Sequence, residues 1–65
     1  MLISVNGERH EVTAETLGAA LTALGYGGRK IATALNGRFV AATQRERTRL
    51  SDGDQVEVVA PMQGG

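Results

Sequence analysis

The chain has 65 residues, seven of them Lys or Arg and seven Asp or Glu, so its formal net charge is zero. A domain of this size buries only about 60% of its unfolded surface, which excludes a large internal active site. Cysteine is absent, which excludes disulfides, thiolate metal sites and a catalytic thiol. The balanced charge and the scarcity of aromatic residues argue against nucleic-acid binding. No apolar run approaches the roughly 18 residues of a membrane span, so we expect a cytoplasmic protein that binds no membrane.

The dipeptide Asn-Gly occurs twice between short runs of β-forming residues, at Asn6-Gly7 and at Asn36-Gly37. Asn-Gly suits the positive φ angles of a two-residue type I′ turn, and it is the strongest short-range signal for a β-hairpin. The sequence therefore predicts two hairpins. Their strands are expected near 2–6, 8–12, 31–35 and 38–40.

Between the hairpins, apolar residues at helical spacing predict one amphipathic helix over 14–24. The i, i+3, i+4 and i+7 positions of its buried stripe are Leu17, Ala20, Leu21 and Leu24. Thr13 is the predicted N-cap and Gly25 the predicted C-terminal stop. Gly18 costs this helix about 1 kcal/mol relative to Ala. Either a neighbouring backbone packs closely against Gly18 or the helix tolerates it.

The rest of the chain predicts a loop and a last strand. Residues 42–54 are polar and end in Asp-Gly-Asp, which is typical of a loop closed by a turn. A final strand is predicted over 55–60, ended by Pro61. The element order is then ββαβββ, an α+β fold. Because one helix covers only one face of a sheet, the other face is left to solvent or partners.

The sequence offers several candidate ligand sites, each with a simpler explanation. His10 is the only histidine and has no metal-ligand spacing around it, so we assign it no role. Segment 27–30, Gly-Gly-Arg-Lys, has amides and cations suited to a phosphate, but it lacks the full glycine-rich motif and is favoured as a helix-to-strand loop. Segment 52–54 lacks the remaining ligands of a calcium loop and is predicted as a turn.

Arg45, Arg47 and Arg49 flank Glu46 in a short basic run. A solvated face is the favoured explanation, and a docking patch for an acidic partner is the alternative. Since the chain has no nucleophile and base, no metal cluster and no phosphate loop, we expect no catalytic residue, no metal and no bound cofactor. The remaining unusual feature is the final Gly64-Gly65, which we interpret as a native end and not as a linker remnant.

The element order, the segments ALNGRFV and LSDGDQVEVVAP, and the final Gly-Gly together resemble the ThiS family of thiamine-biosynthesis sulfur carriers. The resemblance covers the full chain. It implies a ubiquitin-like β-grasp fold, with a mixed sheet of about five strands packed on one helix, a domain over 1–61 and a tail over 62–65. The small subunit of molybdopterin synthase, a ubiquitin-like protein modifier and a plain interaction module with passive glycines stay open as alternatives.

The resemblance also implies chemistry at Gly65. A ThiF-type adenylating enzyme would use ATP to join AMP to the Gly65 carboxylate. A sulfur donor such as a cysteine desulfurase system would then leave a thiocarboxylate, and the sulfur would pass to a ThiG-type thiazole synthase. Glycine at 64 and 65 would let the backbone enter a narrow channel and leave the carbonyl unhindered. We expect the partners to dock on the open sheet face, including residues near Met62.

Overall fold

The computed structural model describes residues 1–60. Its elements are the strands Leu2–Val5 (β1), Glu8–Glu11 (β2), Ala32–Leu35 (β3), Arg38–Val40 (β4) and Gln55–Val59 (β5), the helix Leu17–Ala23 (α1) and the 3₁₀ helix Ala42–Arg47. The five predicted strands are confirmed, and their ends differ from the prediction by at most one residue. Pro61, the predicted tail 62–65 and its residues Gly64 and Gly65 lie outside the described residues. Within 1–60, neither helix is long or apolar enough to cross a membrane.

The five strands form one mixed sheet in the order β2-β1-β5-β3-β4. The central pair β1 and β5 is parallel, and the other neighbouring pairs are antiparallel. Helix α1 lies between the two hairpins in the chain and buries its apolar side in the core with β1 and β5. The observed architecture therefore confirms the α+β prediction of a mixed five-stranded sheet with one helix.

Both Asn-Gly turns adopt the predicted conformation. The φ angle is 52° at Asn6 and 50° at Asn36, and the glycine that follows each is also at positive φ. Each Asn side chain has a second contact that the sequence does not reveal. Asn6 Oδ1 accepts a 2.8 Å hydrogen bond from the Val58 N–H, and Asn36 Oδ1 accepts one of 2.9 Å from the Gln55 N–H. Each hairpin turn is thereby fastened to the central strand β5.

Helix α1 begins later than the sequence predicts, so Thr13 as the N-cap is wrong. Thr16 caps the helix, and its Oγ1 accepts a 3.2 Å hydrogen bond from the Ala19 N–H. Thr16 also forms an isolated antiparallel bridge with Arg49, and the Leu17 N–H donates to the Thr48 carbonyl at 2.8 Å. Because this long-range pairing holds the chain extended through Thr16, the helix starts only at Leu17.

The core lies between α1 and the covered face of the sheet. The predicted helical stripe is confirmed, since three of its residues are buried and Leu24 is half-buried. Gly25 ends the helix as predicted, at a φ of 96°. The buried apolar residues are Ile3, Val5, Val12, Leu17, Ala20, Leu21, Leu50, Val56 and Val58. In β5 the buried Val56 and Val58 alternate with exposed residues, so this strand has one face in the core and one outside.

Gly18 is closely approached, which answers the question that the sequence left open. The neighbour is a side chain and not a backbone: Glu46, from the 3₁₀ helix, lies against the position where a Cβ would stand. A Cβ built on Gly18 would lie 2.6 Å from Glu46 Cδ, with Oε1 nearer still. The Glu46 carboxylate therefore fills the space that a side chain at 18 would take.

We expect the Gly18→Ala substitution to raise the free energy of unfolding by up to about 1 kcal/mol, because Ala favours the helix. The atoms in the way belong to the end of an exposed, flexible Glu46 side chain, which can rotate aside at little cost. Urea unfolding of Gly18→Ala, beside the Gly18→Ala/Glu46→Ala double variant, measures both effects. A less stable single variant together with a more stable double variant would show that Glu46 cannot move.

Candidate functional site

The uncovered face of the sheet has an exposed apolar patch near the end of β5. Strand pairing places Ala34 opposite Phe39, and Ala32 opposite Val59. Phe39 is 73% exposed and Val59 is 63% exposed, although both are large apolar residues. We call Ala32, Ala34, Phe39 and Val59 the apolar patch. Contiguous exposed apolar residues of this kind mark interaction sites in small proteins.

The apolar patch adjoins the chain segment that leads to the terminal glycines. Strand β5 ends at Val59, and Gly65 follows six positions later in the sequence. The sheet has the open face that the sequence predicts, and one residue of its apolar patch, Val59, lies at the end of the strand that continues toward Gly65. Met62, which we expected to belong to the docking region, lies outside the described residues.

A groove borders the apolar patch where β3 begins and β5 ends. It has a volume of about 480 Å³ and is lined by Arg29, Lys30, Ile31, Ala32, Ala42, Arg45 and Val59. We call it the basic groove. Arg29 and Lys30 belong to the connection between α1 and β3, which confirms 27–30 as a helix-to-strand loop. Ala32 and Val59 are shared with the apolar patch, so the two surfaces are continuous.

Arg45 is a structural residue as well as a lining residue of the groove. Its Nε donates a 2.9 Å hydrogen bond to Thr33 Oγ1, and its Nη2 donates one of 2.6 Å to the Ile31 carbonyl. Thr33 is buried and in turn donates to the Val40 carbonyl at 2.8 Å. Arg45 thus connects the 3₁₀ helix to β3 and, through Thr33, to β4.

The other two arginines of the basic run are exposed. Arg49 Nη2 lies 3.0 Å from Glu15 Oε1, in an ion pair whose two side chains are each about three-quarters exposed, and Arg47 is exposed on the 3₁₀ helix. A solvated face therefore describes Arg47 and Arg49, whereas Arg45 is half-buried and hydrogen-bonded. The three arginines do not act as one surface.

We expect Arg45→Met to lower the free energy of unfolding by about 2 kcal/mol, because hydrogen bonds to charged groups contribute about 1.5–3 kcal/mol and the buried Thr33 hydroxyl loses a donor. Arg47→Met is the matched control and should stay within about 0.5 kcal/mol of the parent, as exposed substitutions do. Urea unfolding of both variants provides the comparison. Equal stabilities would mean that the Arg45 hydrogen bonds contribute nothing net.

The remaining candidates from the sequence have structural roles or none. Segment 52–54 is a turn, as predicted. Asp52 Oδ1 accepts a 2.7 Å hydrogen bond from the Leu2 N–H, and Asp54 Oδ2 accepts one of 2.7 Å from the Ser51 N–H. His10 lies in β2. Residues 1–60 contain no group of three or more potential metal ligands among His, Asp and Glu.

Comparison with protein-family models shows which family the chain belongs to. The model of the ThiS family matches residues 3–65. The chain belongs to the ThiS family. It is therefore a small carrier protein of thiamine biosynthesis, and the resemblance inferred from its hairpins and its ending is confirmed. The match includes Gly64 and Gly65.

Solved structures of ThiS proteins share the fold. The crystal structure of the thiamine biosynthesis protein ThiS from Geobacter metallireducens is 32% identical, has a TM-score of 0.82 and covers 100% of both chains. The solution structure of a thiamine biosynthesis protein from the same organism is 29% identical, with a TM-score of 0.76 and coverage of 100% of this chain and 88% of the other. The ubiquitin-like β-grasp prediction is confirmed. No curated protein sequence matches this ThiS-family chain.

Neither Phe39 nor Val59 was predicted as a site residue from the sequence, although a local signal for Phe39 exists. A two-residue turn at 36–37 pairs residue 35 with 38 and residue 34 with 39. Alternation along a strand then places Phe39 and Ala34 on the face opposite to Thr33. In this ThiS-family chain, the period of two along the predicted hairpin therefore indicates Phe39 and Ala34, which are half of the apolar patch.

Proposed function

We propose that this protein carries sulfur as a thiocarboxylate on Gly65 and donates it to thiazole formation in thiamine biosynthesis. The observation that carries the proposal is the family match over residues 3–65, which extends through the last glycine. The chain has no cysteine, so it cannot hold sulfur as a persulfide of its own. We therefore place the sulfur on the carboxylate of Gly65.

The chemistry of loading requires two substitutions and a reduction. A Gly65 carboxylate oxygen attacks the α-phosphorus of ATP and displaces pyrophosphate, which forms an acyl adenylate. The persulfide sulfur of a donor such as a cysteine desulfurase system then attacks the acyl carbon and AMP leaves, which gives an acyl disulfide. A thiol reductant cleaves the S–S bond, so that the thiocarboxylate is released and the thiol and the donor sulfur end as a disulfide. Activation is needed because a free carboxylate is a poor electrophile. The catalytic groups would come from a ThiF-type adenylating enzyme, with ATP bound by that enzyme.

The apolar patch is the surface that we propose the adenylating enzyme buries. Val59 belongs to the patch, and six residue steps separate it from Gly65. At about 3.3–3.6 Å per step, the maximum reach is roughly 20 Å. A carboxylate at that reach could enter an enclosed site while the sheet face docks outside, and enclosure protects an acyl adenylate from water.

Intact-mass spectrometry tests the proposed function. The protein is incubated with ATP, a ThiF-type enzyme, a cysteine desulfurase with free cysteine, and a thiol reductant. We expect a mass gain equal to the difference between one sulfur and one oxygen atom, dependent on ATP. Conjugates to larger proteins would instead indicate a ubiquitin-like modifier. An unchanged mass would indicate an interaction module with passive glycines. Binding to a ThiG-type thiazole synthase, and not to the large subunit of molybdopterin synthase, would assign the thiamine pathway.

A further inference from the structure

The basic groove concentrates positive charge in a chain whose formal net charge is zero. Three of its seven lining residues are Arg29, Lys30 and Arg45, and none is acidic. The ion pairs within residues 1–60 involve other groups: the N-terminus with Glu11, His10 with Glu8, and Arg49 with Glu15. The three cations of the groove are thus left with no carboxylate partner in the part of the chain that the structure describes.

One of the three cations is fixed by hydrogen bonds, and a second lies over an aromatic ring. Arg45 is fixed by hydrogen bonds from Nε and Nη2 to Thr33 and Ile31, whereas its Nη1 makes no hydrogen bond to any residue in 1–60. The guanidinium carbon of Arg29 lies 5.8 Å from the centre of the Tyr26 ring, within the range of a cation–π contact. Cations that are already positioned lose less side-chain entropy when they bind an anion.

The floor of the basic groove is apolar. Ile31, Ala32, Ala42 and Val59 line it between the cations. Ala32 and Val59 also belong to the apolar patch, so a partner that covers the patch reaches the groove without a gap. A partner protein whose Asp or Glu side chains are surrounded by apolar residues can contact both the cations and this apolar floor. A small hydrated anion gains little from contact with the floor.

We infer that the basic groove binds Asp or Glu side chains of the adenylating enzyme beside the interface on the apolar patch. The inference rests on the proposed function, because it requires that such an enzyme docks on this face. Guanidinium groups bind carboxylates through short, charge-assisted hydrogen bonds, and the Nη1 of Arg45 is available for one. The groove would orient the docked carrier, since it places a positively charged contact at one end of the apolar patch, whereas the acidic Glu57 lies opposite Ala34.

Charge at the rim of an interface acts mainly on the rate of association. Arg29 and Lys30 are exposed, so they attract an acidic surface before contact, and salt screens that attraction. At 0.15 M ionic strength the Debye length is about 8 Å. The contribution of the groove should therefore be largest at low salt and decline as salt is added.

The test compares Arg29→Glu and Lys30→Glu with Arg9→Glu, which makes the same charge change as Arg29→Glu on an exposed residue of β2, at the opposite edge of the sheet. Stopped-flow association of the full-length chain with the ThiF-type enzyme is measured without ATP at several salt concentrations. We expect each groove variant to associate at least about tenfold more slowly at low salt, with the difference shrinking in high salt. Arg9→Glu should differ from the parent by less than about threefold. Arg45 is not used because its substitution also affects the fold.

Three results would overturn the inference. Equal slowing by Arg9→Glu and Lys30→Glu would mean that overall charge, and not the groove, attracts the enzyme. Changed NMR shifts of groove residues on truncation after residue 60 would show that the chain's own terminus occupies the groove. Concentration-dependent self-association that Lys30→Glu removes would identify a second copy as the occupant. Failure of the proposed function is distinguishable, because the parent chain would then show no ATP-dependent mass gain.

Discussion

Deletion of Gly65, or the substitution Gly64→Val, is expected to abolish sulfur loading while the free energy of unfolding stays unchanged. Deletion of Gly65 removes one residue step of about 3.3–3.6 Å from the reach of the carboxylate, and a misplacement of even 1 Å can cost a reaction about 100-fold. The Val side chain at 64 adds a branched Cβ next to the reacting residue, which restricts the backbone and would block a channel shaped for glycine. Intact-mass measurement after incubation with ATP, the ThiF-type enzyme and the sulfur source reads the result directly.

The matched control for these tail variants is Gln63→Ala, which changes a side chain nearby but leaves Gly64 and Gly65 in place. It should load at close to the rate of the parent chain. Urea unfolding and affinity for the adenylating enzyme, measured on every variant, separate loss of chemistry from loss of fold or docking. Normal loading of Gly64→Val or of the chain lacking Gly65 would contradict the assignment of the reacting group.

The sequence predicted the parts of the fold that depend on neighbouring residues. Asn6-Gly7 and Asn36-Gly37 carry the conformational preference of their turns within two residues, and each turn sets the register of its own hairpin. The buried stripe of α1 is likewise a local pattern, since the spacing of its apolar residues needs no knowledge of the partner strands. These features were confirmed with their strand ends displaced by at most one residue.

The features that the sequence did not predict depend on contacts between distant residues. Thr13 was wrong as the N-cap because the bridge from Thr16 to Arg49 and the hydrogen bond from Leu17 to Thr48 override the local preference for helix. The 3₁₀ helix Ala42–Arg47 has no apolar period of its own. Hydrogen bonds from Arg45 to Thr33 of β3 and to Ile31 hold this 3₁₀ helix against the sheet. No pattern of neighbouring residues in this polar segment predicts those bonds.

The same difference between local patterns and contacts of distant residues applies to the candidate site. Gly64 and Gly65 could be proposed from the sequence because the proposed chemistry lies in the chain itself, and their role stays a prediction. The basic groove was not found, because Arg29 and Lys30 are more than ten residues from Arg45 in the chain. The hydrogen bonds from Arg45 to Thr33 and Ile31 bring the three cations to one groove. The sequence instead grouped Arg45 with Arg47 and Arg49, and the fold separates them.

The substitution Phe39→Ser is expected to weaken binding to the adenylating enzyme by roughly 10- to 150-fold, with little effect on stability. Phe39 is 73% exposed, so its removal should change the free energy of unfolding by no more than about 0.5 kcal/mol. If the enzyme buries the ring, the lost transfer free energy is about 1.5–3 kcal/mol, which gives that range of affinity. The ThiF-type enzyme is titrated with labelled chain, and loading at saturating enzyme is measured in parallel.

Leu2→Ser provides the control for Phe39→Ser. Leu2 is also a large apolar residue exposed on the open face, at 38%, but it lies on β1, away from the apolar patch. Its substitution should change the affinity by less than about threefold, since no buried contact with the enzyme is lost there. Because the reacting carboxylate is intact in both variants, loading at saturating enzyme should proceed at the parent rate. Equal loss of affinity in the two variants would place the interface across the whole sheet, and an unchanged affinity in both would move it to another surface.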